Sequence, residues 1–233
     1  VDWVQAGQAD CILLALPVGE TGAVLQQLAP HLKPGAIVTD AGSTKANVVA
    51  AARAALGERF ADFVPGHPIA GSEQSGPGAA RSDLYRGKRV VLTPQADTRA
   101  SALATVRALW EATGAQVETL DADLHDRVFA AVSHLPHLAA FALVDELAQR
   151  TDGDTFFRFA ASGFRDFTRI AGSSPEMWRD IALANREALL AELDAYLGAL
   201  GSLRQAVDRG DADALLTIFA RARAARVHWT MDF

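Results

Sequence analysis

The first 120 residues alternate short apolar runs with longer amphipathic segments. The amphipathic segments predict helices over residues 19–32, 44–56 and 98–113. The apolar runs predict strands at 10–18, 36–40, about 63–65, 89–94 and 116–120. Strands that alternate with helices at short spacing indicate βαβ units and a mostly parallel sheet. The Gly-rich stretch from Gly66 to Gly78 is expected to be irregular.

The pattern changes to helices alone after Asp121. A helix is predicted over 123–149, with a kink at Pro136. Ser174 and Pro175 together predict the start of a helix, because a serine hydroxyl suits the N-cap and proline suits the first helical position. That helix is predicted to run to Arg209, before Gly210, and a final helix is predicted from an Asp211 cap to about Arg226.

These patterns together predict an α/β domain over residues 1–121 and an all-α domain over 122–233. A helix of more than about 30 residues is longer than a small globule needs. Its apolar positions are continued on the final helix by Leu215, Leu216 and Phe219. We therefore expect a homodimer that forms through the helical half.

Composition and charge narrow the class of protein. The chain has 233 residues, of which 50% are apolar, and a net charge of −6, which disfavours a nucleic-acid surface. No apolar run approaches the roughly 20 residues that cross a bilayer, so no membrane partner is expected. No basic segment of a signal peptide precedes an apolar run, and the single Cys11 cannot form an internal disulfide. These features favour the cytoplasm.

Chemically useful side chains follow two of the predicted strands. Open parallel sheets bind ligands at the carboxyl ends of their strands. His67 follows one strand end, and its imidazole, with an ordinary pKa of about 6.5, would be mostly neutral at pH 7, as a general base requires. The alternative is a loop histidine bonded to the backbone. Ser43 follows another strand end, where it is either a functional hydroxyl or the N-cap of the next helix.

Two histidines, His134 and His137, lie three residues apart on a predicted helix, so both can face one side. This spacing also suits a metal ion, but no third ligand is evident and no metal is expected. For either histidine alone, a buried structural role is the alternative.

Three strings carry a resemblance to a known family: GHPIAGSE from Gly66, SHLPH from Ser133, and GFRDFTRIAGSSPEMWRDI from Gly163. In this order and at these separations, they resemble the prephenate/arogenate dehydrogenases of tyrosine biosynthesis, from about Ala9 to Arg186. The resemblance implies a Rossmann-type nucleotide-binding domain followed by an all-α dimerisation and substrate domain. It also implies that NAD or NADP takes a hydride from the substrate's ring carbinol, and that the ring carboxylate leaves as carbon dioxide.

The resemblance also implies roles for particular residues. His67 would be the base, and Ser43 would bond either that histidine or the substrate hydroxyl. Arg169 would bind a substrate carboxylate through its planar guanidinium, and Arg165 would lie nearby, where some relatives have lysine. The other expected substrate contacts are His137, His134 and Glu73, and the expected cofactor contacts are Pro17, Val18, Thr21 and Ser43.

The dinucleotide fingerprint Gly-x-Gly-x-x-Gly does not occur in the expected place. The resemblance implies that it precedes Val1, so we expect the Rossmann-type domain to be N-terminally incomplete here and to bind nucleotide poorly by itself. The residue that selects NAD or NADP would lie in the same segment. Two alternatives are a β-hydroxyacid type of dehydrogenase, which uses a lysine base on a helix, and a non-catalytic dimerisation and substrate-binding fragment.

Overall fold

The computed structural model describes residues 1–71, 78 and 80–231, and the side chains up to residue 229. The chain divides into two compact units, Val1–Leu189 and Leu190–Phe233. The first unit contains all the strands of the described chain, and the second is helical.

Six strands form the sheets of the first unit. Strands β1 (Cys11–Leu14), β2 (Ile37–Asp40) and β3 (Phe63–Val64) are parallel and lie in that order. Strands β4 (Gly66–Pro68), β5 (Arg89–Leu92) and β6 (Gln116–Thr119) form a second sheet, in which β5 and β6 are parallel and β4 is antiparallel to β5. Only Pro65 separates β3 from β4, so the two sheets follow directly on one another along this segment.

Four α-helices accompany the strands: α1 (Trp3–Ala6), α2 (Thr21–Leu28), α3 (Ala46–Leu56) and α4 (Ala100–Ala112). Short 3-10 turns occupy Val18–Glu20, Ala29–His31 and Gly57–Asp62. Because apolar residues recur three and four positions apart, each longer helix turns one face to the strands. The first sheet's core includes Leu25, Leu28, Val48, Phe60 and Phe63, and the second sheet's includes Val90, Leu92, Val106 and Trp110.

Two details of the predicted strands are wrong. The first strand, predicted over 10–18, ends at Leu14, and Pro17 lies beyond it because proline has no N–H to donate to a ladder. The stretch after Gly66 was expected to be irregular, yet Gly66–Pro68 is a strand with His67 opposite Val91. A side chain at Gly66 would bring a Cβ within 2.9 Å of the Asp40 carbonyl oxygen, so glycine is what permits this close approach.

The rest of the first unit is helical. Its helices are α5 (Ala122–Phe129), α6 (Leu135–Ala148), α7 (Gly153–Phe159), α8 (Ser162–Thr168) and α9 (Pro175–Ala184). A π-helical segment, Ala130–His134, joins α5 to α6, and a 3-10 turn, Arg169–Gly172, follows α8. The kink predicted at Pro136 is therefore replaced by this π-helical segment, which lies in the turn before the proline. Proline cannot donate to the carbonyl four residues earlier, and π segments of this kind often mark functional sites.

The single long helix predicted from Pro175 to Arg209 is wrong. It is interrupted at Asn185, whose φ of −108° and ψ of 34° leave the helical region, and α10 (Arg186–Asp208) begins after it. The predicted start is confirmed, because the Ser174 hydroxyl accepts a hydrogen bond from the Met177 N–H at 3.2 Å. The break follows from the side chain of Asn185, which is bonded elsewhere in the first unit.

The second unit consists of the end of α10 and helix α11 (Ala212–Met231). Gly210, with a φ of +64°, ends α10, and Asp211 caps α11 by accepting from the Ala214 N–H at 2.9 Å. These two predicted turn residues are confirmed, although α11 extends past Arg226. Large apolar side chains are exposed on this unit, including Leu197, Leu200, Val207, Leu216 and Phe219.

The helical segment Ala122–Ala148 is the only one in the described part of the chain that is long and apolar enough to span a membrane. Length and composition alone give this result, and core helices of soluble proteins also meet that standard. The segment carries two of the histidines that the sequence singles out.

Candidate active site

A row of three hydrogen-bonded side chains joins β4 to α5. The Nδ1 of His67 lies 2.8 Å from the Nε2 of His125. The Nδ1 of His125 in turn lies 2.8 Å from Oδ1 of Asp126. His125 is fully buried and Asp126 is 5% exposed, so water does not compete for these bonds.

The positions of the protons in this row follow from Asp126. Two backbone N–H donors and His125 hold the pKa of the Asp126 carboxyl below its usual value against the effect of burial, so it is ionised and can only accept. His125 must therefore carry its proton on Nδ1, which leaves its Nε2 as an acceptor when the ring is neutral. His67 must then donate from Nδ1, which leaves on its Nε2 a lone pair that is free among the described residues.

Both rings favour the neutral form. Burial is the largest cause that lowers the pKa of His67, and the nearby His125, Lys45 and His134 lower it further, to well below the usual value. Burial also lowers the pKa of His125, although Asp126 opposes this effect. A neutral His67 with a bare Nε2 is the form that can accept a proton from a ligand.

Asp126 also binds the start of α3. Its Oδ1 accepts from the Lys45 N–H at 2.8 Å, and its Oδ2 accepts from the Ala46 N–H at 2.8 Å. A carboxylate at a helix N-terminus satisfies free donors and interacts favourably with the helix dipole. The N-cap role considered for Ser43 is therefore wrong, because the first residues of α3 are capped by a side chain from a distant helix and the cap position is Lys45.

Asn185 fixes the ring of His134. Its Nδ2 donates to the Asp126 carbonyl oxygen at 2.8 Å and lies 3.1 Å from Nδ1 of His134. Because that carbonyl can only accept, the nitrogen of the Asn185 amide must face it. Nδ1 of His134 then accepts the second amide proton, and its own proton lies on Nε2. Burial lowers the pKa of His134 to about 4, so the ring is neutral at pH 7.

Two buried N–H donors in this region have no hydrogen-bond acceptor among the described residues: Nε2 of His134 and Nε1 of Trp178. The two rings meet edge to face, with centroids 6.0 Å apart. An unsatisfied buried donor is costly and is often satisfied by a ligand or a water molecule. These donors therefore suit a ligand that presents oxygen acceptors.

The ring of His137 stacks on the ring of Trp178, with centroids 3.6 Å apart and planes 22° apart. Its Nδ1 donates to the Ser133 carbonyl oxygen at 2.8 Å, which leaves Nε2 as an acceptor. Burial lowers the pKa of His137, and the positive charge of Arg169 lowers it further, against the effect of the Ser133 bond. Arg169 itself is an exposed residue at the start of the 3-10 turn after α8.

The predicted cofactor contacts lie after the carboxyl ends of the parallel strands β1 and β2. Pro17 is exposed, Thr21 is buried at the start of α2, and Ser43 is half-buried after β2. Val18 is buried in a small cluster with Trp178 and Ile181 of α9, so its side chain contacts the helical part of this unit. This contact brings the strand end close to the histidine-bearing region.

The other two predicted substrate contacts are Arg165 and Glu73. Arg165 is exposed on α8, and Glu73 lies outside the described residues. In the described parts of the chain, no group of three or more His, Cys, Asp or Glu side chains is placed to hold a metal ion.

The sequence reasoning missed three functional candidates, which are His125, Asp126 and Asn185. A signal for the first two was present, because His125 and Asp126 fall on the face of α5 that also buries Ala122 and Phe129. Polar residues on a buried helical face need partners. Nothing in the periodicity of the long C-terminal segment pointed to Asn185.

Comparisons with known proteins agree with this arrangement. Residues 2–119 match a family model described as prephenate dehydrogenase, nucleotide-binding domain, and residues 121–221 match one described as prephenate dehydrogenase, dimerization domain. The chain belongs to the prephenate dehydrogenase family. The predicted family and the predicted fold class, a Rossmann-type domain followed by a helical dimerisation domain, are therefore confirmed.

Individual relatives extend the likeness over nearly the whole chain. The cyclohexadienyl dehydrogenase of Zymomonas mobilis is 38% identical over 227 residues, which are 97% of this chain and 77% of that protein. The prephenate dehydrogenase of Bacillus subtilis is 37% identical, over 94% of this chain and 59% of that protein. A crystal structure of Aquifex aeolicus prephenate dehydrogenase with hydroxyphenyl propionate and NAD+ is similar at a TM-score of 0.90 and 37% identity, covering 98% of this chain and 80% of that one.

The bonds of Asp126 in this family member predict a pH-dependent stability. Asp126→Asn should lower the free energy of unfolding by about 1–3 kcal/mol at pH 7, because buried charge-assisted bonds are lost. The folded-state pKa of Asp126 is lowered, so its contribution is complete above the unfolded pKa of about 3.9 and is lost as pH falls through the folded pKa. Urea unfolding of both proteins at pH 7 and near pH 3 measures the difference.

The control is Asp123→Asn, which changes an exposed carboxylate on the same helix. It should alter stability by no more than about 0.5 kcal/mol at either pH. An Asp126→Asn protein as stable as the wild type at pH 7 would show that this carboxylate does not hold the row together.

Proposed function

We propose that the full-length protein oxidises prephenate to 4-hydroxyphenylpyruvate, arogenate to tyrosine, or both, with transfer of a hydride to NAD or NADP and loss of carbon dioxide. The observation that carries the proposal is the row from Asp126 through His125 to His67, which ends in a free lone pair on Nε2. Membership of the family and the names of its relatives support the substrate class.

The chemistry needs a proton acceptor at the ring hydroxyl. His67 Nε2 takes the hydroxyl proton while the hydride leaves the carbon that bears this hydroxyl. The carbon–carbon bond to the ring carboxylate then breaks, its electron pair enters the ring, and carbon dioxide departs. The phenolate oxygen that results takes a proton back from the His67 imidazolium, so the base is restored.

The buried row supports both protonation states of His67. Before transfer, Asp126 and His125 hold the tautomer in which Nε2 is free. During transfer, the positive charge that develops on His67 is bonded to His125, which is in turn bonded to the Asp126 carboxylate. An oriented carboxylate of this kind stabilises a developing imidazolium without itself taking the proton.

Substrate carboxylates would be bound by donors around Trp178. Nε2 of His134 and Nε1 of Trp178 are buried N–H groups without acceptors among the described residues. The charge of Arg169 lowers the pKa of His137 in the same region. Its guanidinium would add a planar, permanently charged donor. His137 would offer its free Nε2 as an acceptor. Arg165 and Glu73 remain predicted substrate contacts.

The cofactor would lie along the carboxyl ends of β1 and β2, near Pro17, Val18, Thr21 and Ser43. This is where open parallel sheets bind nucleotides. The sheet edge is tight here, since a side chain at Gly42 would place a Cβ 2.9 Å from Oδ2 of Asp40 and 3.2 Å from Cγ1 of Val18. The bound nicotinamide supplies the hydride acceptor, and this edge would hold it beside the substrate.

Replacing His67 with Asn should lower kcat by at least about 100-fold, the usual scale for a general base, and leave KM nearly unchanged. In the wild type, kcat/KM should fall as pH drops through the pKa of His67, because a protonated ring cannot accept. Since that pKa is lowered, the decline should begin below about pH 6.5.

Steady-state kinetics of the full-length protein test this, with His31→Asn as the control. His31 is a half-buried histidine at the end of a 3-10 turn, so its replacement should leave kcat unchanged. Near-wild-type turnover by the His67→Asn protein would remove His67 from the mechanism.

Arg169→Gln should chiefly weaken substrate binding. A charge-assisted bond to a carboxylate contributes about 1.5–3 kcal/mol, so KM should rise by about 10- to 100-fold. Arg158→Gln, at an exposed position on α7, is the matched control and should leave KM as it is. If KM is unaltered by Arg169→Gln, another cation binds the carboxylate.

The protein should be a homodimer, as the dimerization-domain match over residues 121–221 supports. Exposed apolar side chains on the second unit, such as Leu197 at 61% and Leu216 at 67%, suit an apolar interface core. Light scattering at micromolar concentration should give twice the mass of one chain. The double variant Leu197→Asp/Leu216→Asp should shift that mass toward the monomer, and a wild-type monomer would contradict the prediction.

A further inference from the structure

Lys45 is a buried cation that the proposed chemistry does not use. Its side chain is 0% exposed, and its Nζ is paired with Oδ2 of Asp40, which is also buried. Removing two charges from water is costly unless their geometry and hydrogen bonds compensate for it.

The pair binds both backbone polar groups of Gly66, the residue before His67. Oδ1 of Asp40 accepts from the Gly66 N–H at 3.0 Å, and Nζ of Lys45 donates to the Gly66 carbonyl oxygen at 2.6 Å. Gly66 already lies close to β2, because a Cβ added at this residue would be only 2.9 Å from the Asp40 carbonyl oxygen. Its backbone therefore has no room to move toward β2. The backbone that carries the imidazole is thus fixed by the ion pair.

The backbone of Lys45 meets the other end of the row. Its N–H donates to Oδ1 of Asp126, the same oxygen that His125 contacts. The contacts therefore close a ring: from Lys45 to Gly66, along the chain to His67, across to His125, then to Asp126 and back to Lys45. A shift of Lys45 would move both ends of the row.

We propose that the Lys45–Asp40 ion pair positions His67 for proton transfer, by fixing the backbone of Gly66 and placing a positive charge near the ring. This rests on the proposed function for its kinetic consequences. It assigns to both residues a role in turnover beyond their contribution to folding.

The charges around His67 support an electrostatic part of this role. Besides burial, the groups that lower its pKa are His125 of α5, Lys45 before α3, and His134 of the π segment. Burial lowers the pKa of both histidines, so neither is a cation at pH 7. Burial also lowers the pKa of Lys45, but its ion pair and hydrogen bond with Asp40 oppose this effect and favour the charged amine. Two carboxylates of the described part of this site, Asp40 and Asp126, are each bonded to another partner. Loss of the Lys45 charge should therefore raise the pKa of His67.

The test is the double variant Asp40→Asn/Lys45→Met, which removes both charges together and leaves no unpaired buried ion. In the full-length protein we expect kcat to fall by about 10- to 100-fold, the scale for a small misplacement of a reacting group. KM should stay within about twofold, and the acid limb of kcat/KM should move to higher pH. A purely structural pair would lower the melting temperature without moving this limb.

Asp10→Asn/Lys33→Met is the matched control. It removes a second Lys–Asp pair in the same unit, with 2.6 Å between the charged atoms, in which Asp10 is 95% exposed. Its kcat and pH profile should equal those of the wild type. A folded Asp40→Asn/Lys45→Met protein with wild-type kcat and an unmoved acid limb would overturn the proposal.

Two further measurements keep the test decisive. If the double variant does not fold, Lys45→Gln alone removes the cation and keeps an N–H donor that can serve Asp40 and the Gly66 carbonyl oxygen. The acid limb should then still move to higher pH, and an unmoved limb would overturn the proposal. If the wild type turns over neither prephenate nor arogenate, the proposed function fails. NMR titration of the His67 ring then decides the positioning role, because a higher pKa in the variant supports it and an equal pKa refutes it.

Discussion

The candidate site depends on one carboxylate, that of Asp126. It accepts from the ring of His125 and from the first two N–H groups of α3, Lys45 and Ala46. These donors keep the carboxylate ionised in a place where burial alone would favour its protonated form. Because it is ionised, it can only accept, and this single fact fixes the protons of two histidines.

The same carboxylate joins the sheet-bearing part of the first unit to its helices. It stands on α5, the first helix after the last strand, and it caps a helix that follows β2. Asn185, at the break between α9 and α10, bonds the backbone of Asp126 and the ring of His134. Each of these side chains is bonded to at least one other member of the network, which leaves few alternative arrangements, so the network can hold reacting groups in one geometry.

The sequence predicted the outline of this site better than its interior. The alternation of strands and helices, the family strings and His67 were accessible, because they depend on local periodicity and on contiguous motifs. The partners of His67 were not, because His125 is 58 positions away from it along the chain and only the folded sheet brings the two together. The helix break at Asn185 was missed for the same reason, since a tertiary hydrogen bond there outweighs helix propensity.

The central claim is that the row leaves His67 neutral, with its proton on Nδ1 and a free Nε2. The most direct measurement is a long-range proton–nitrogen NMR spectrum of histidine-labelled protein at pH 7, which separates the two tautomers and the imidazolium by their ring ¹⁵N shifts. The account predicts that both His67 and His125 are neutral Nδ1–H tautomers. A proton on Nε2 of His67, or a doubly protonated ring, would contradict it.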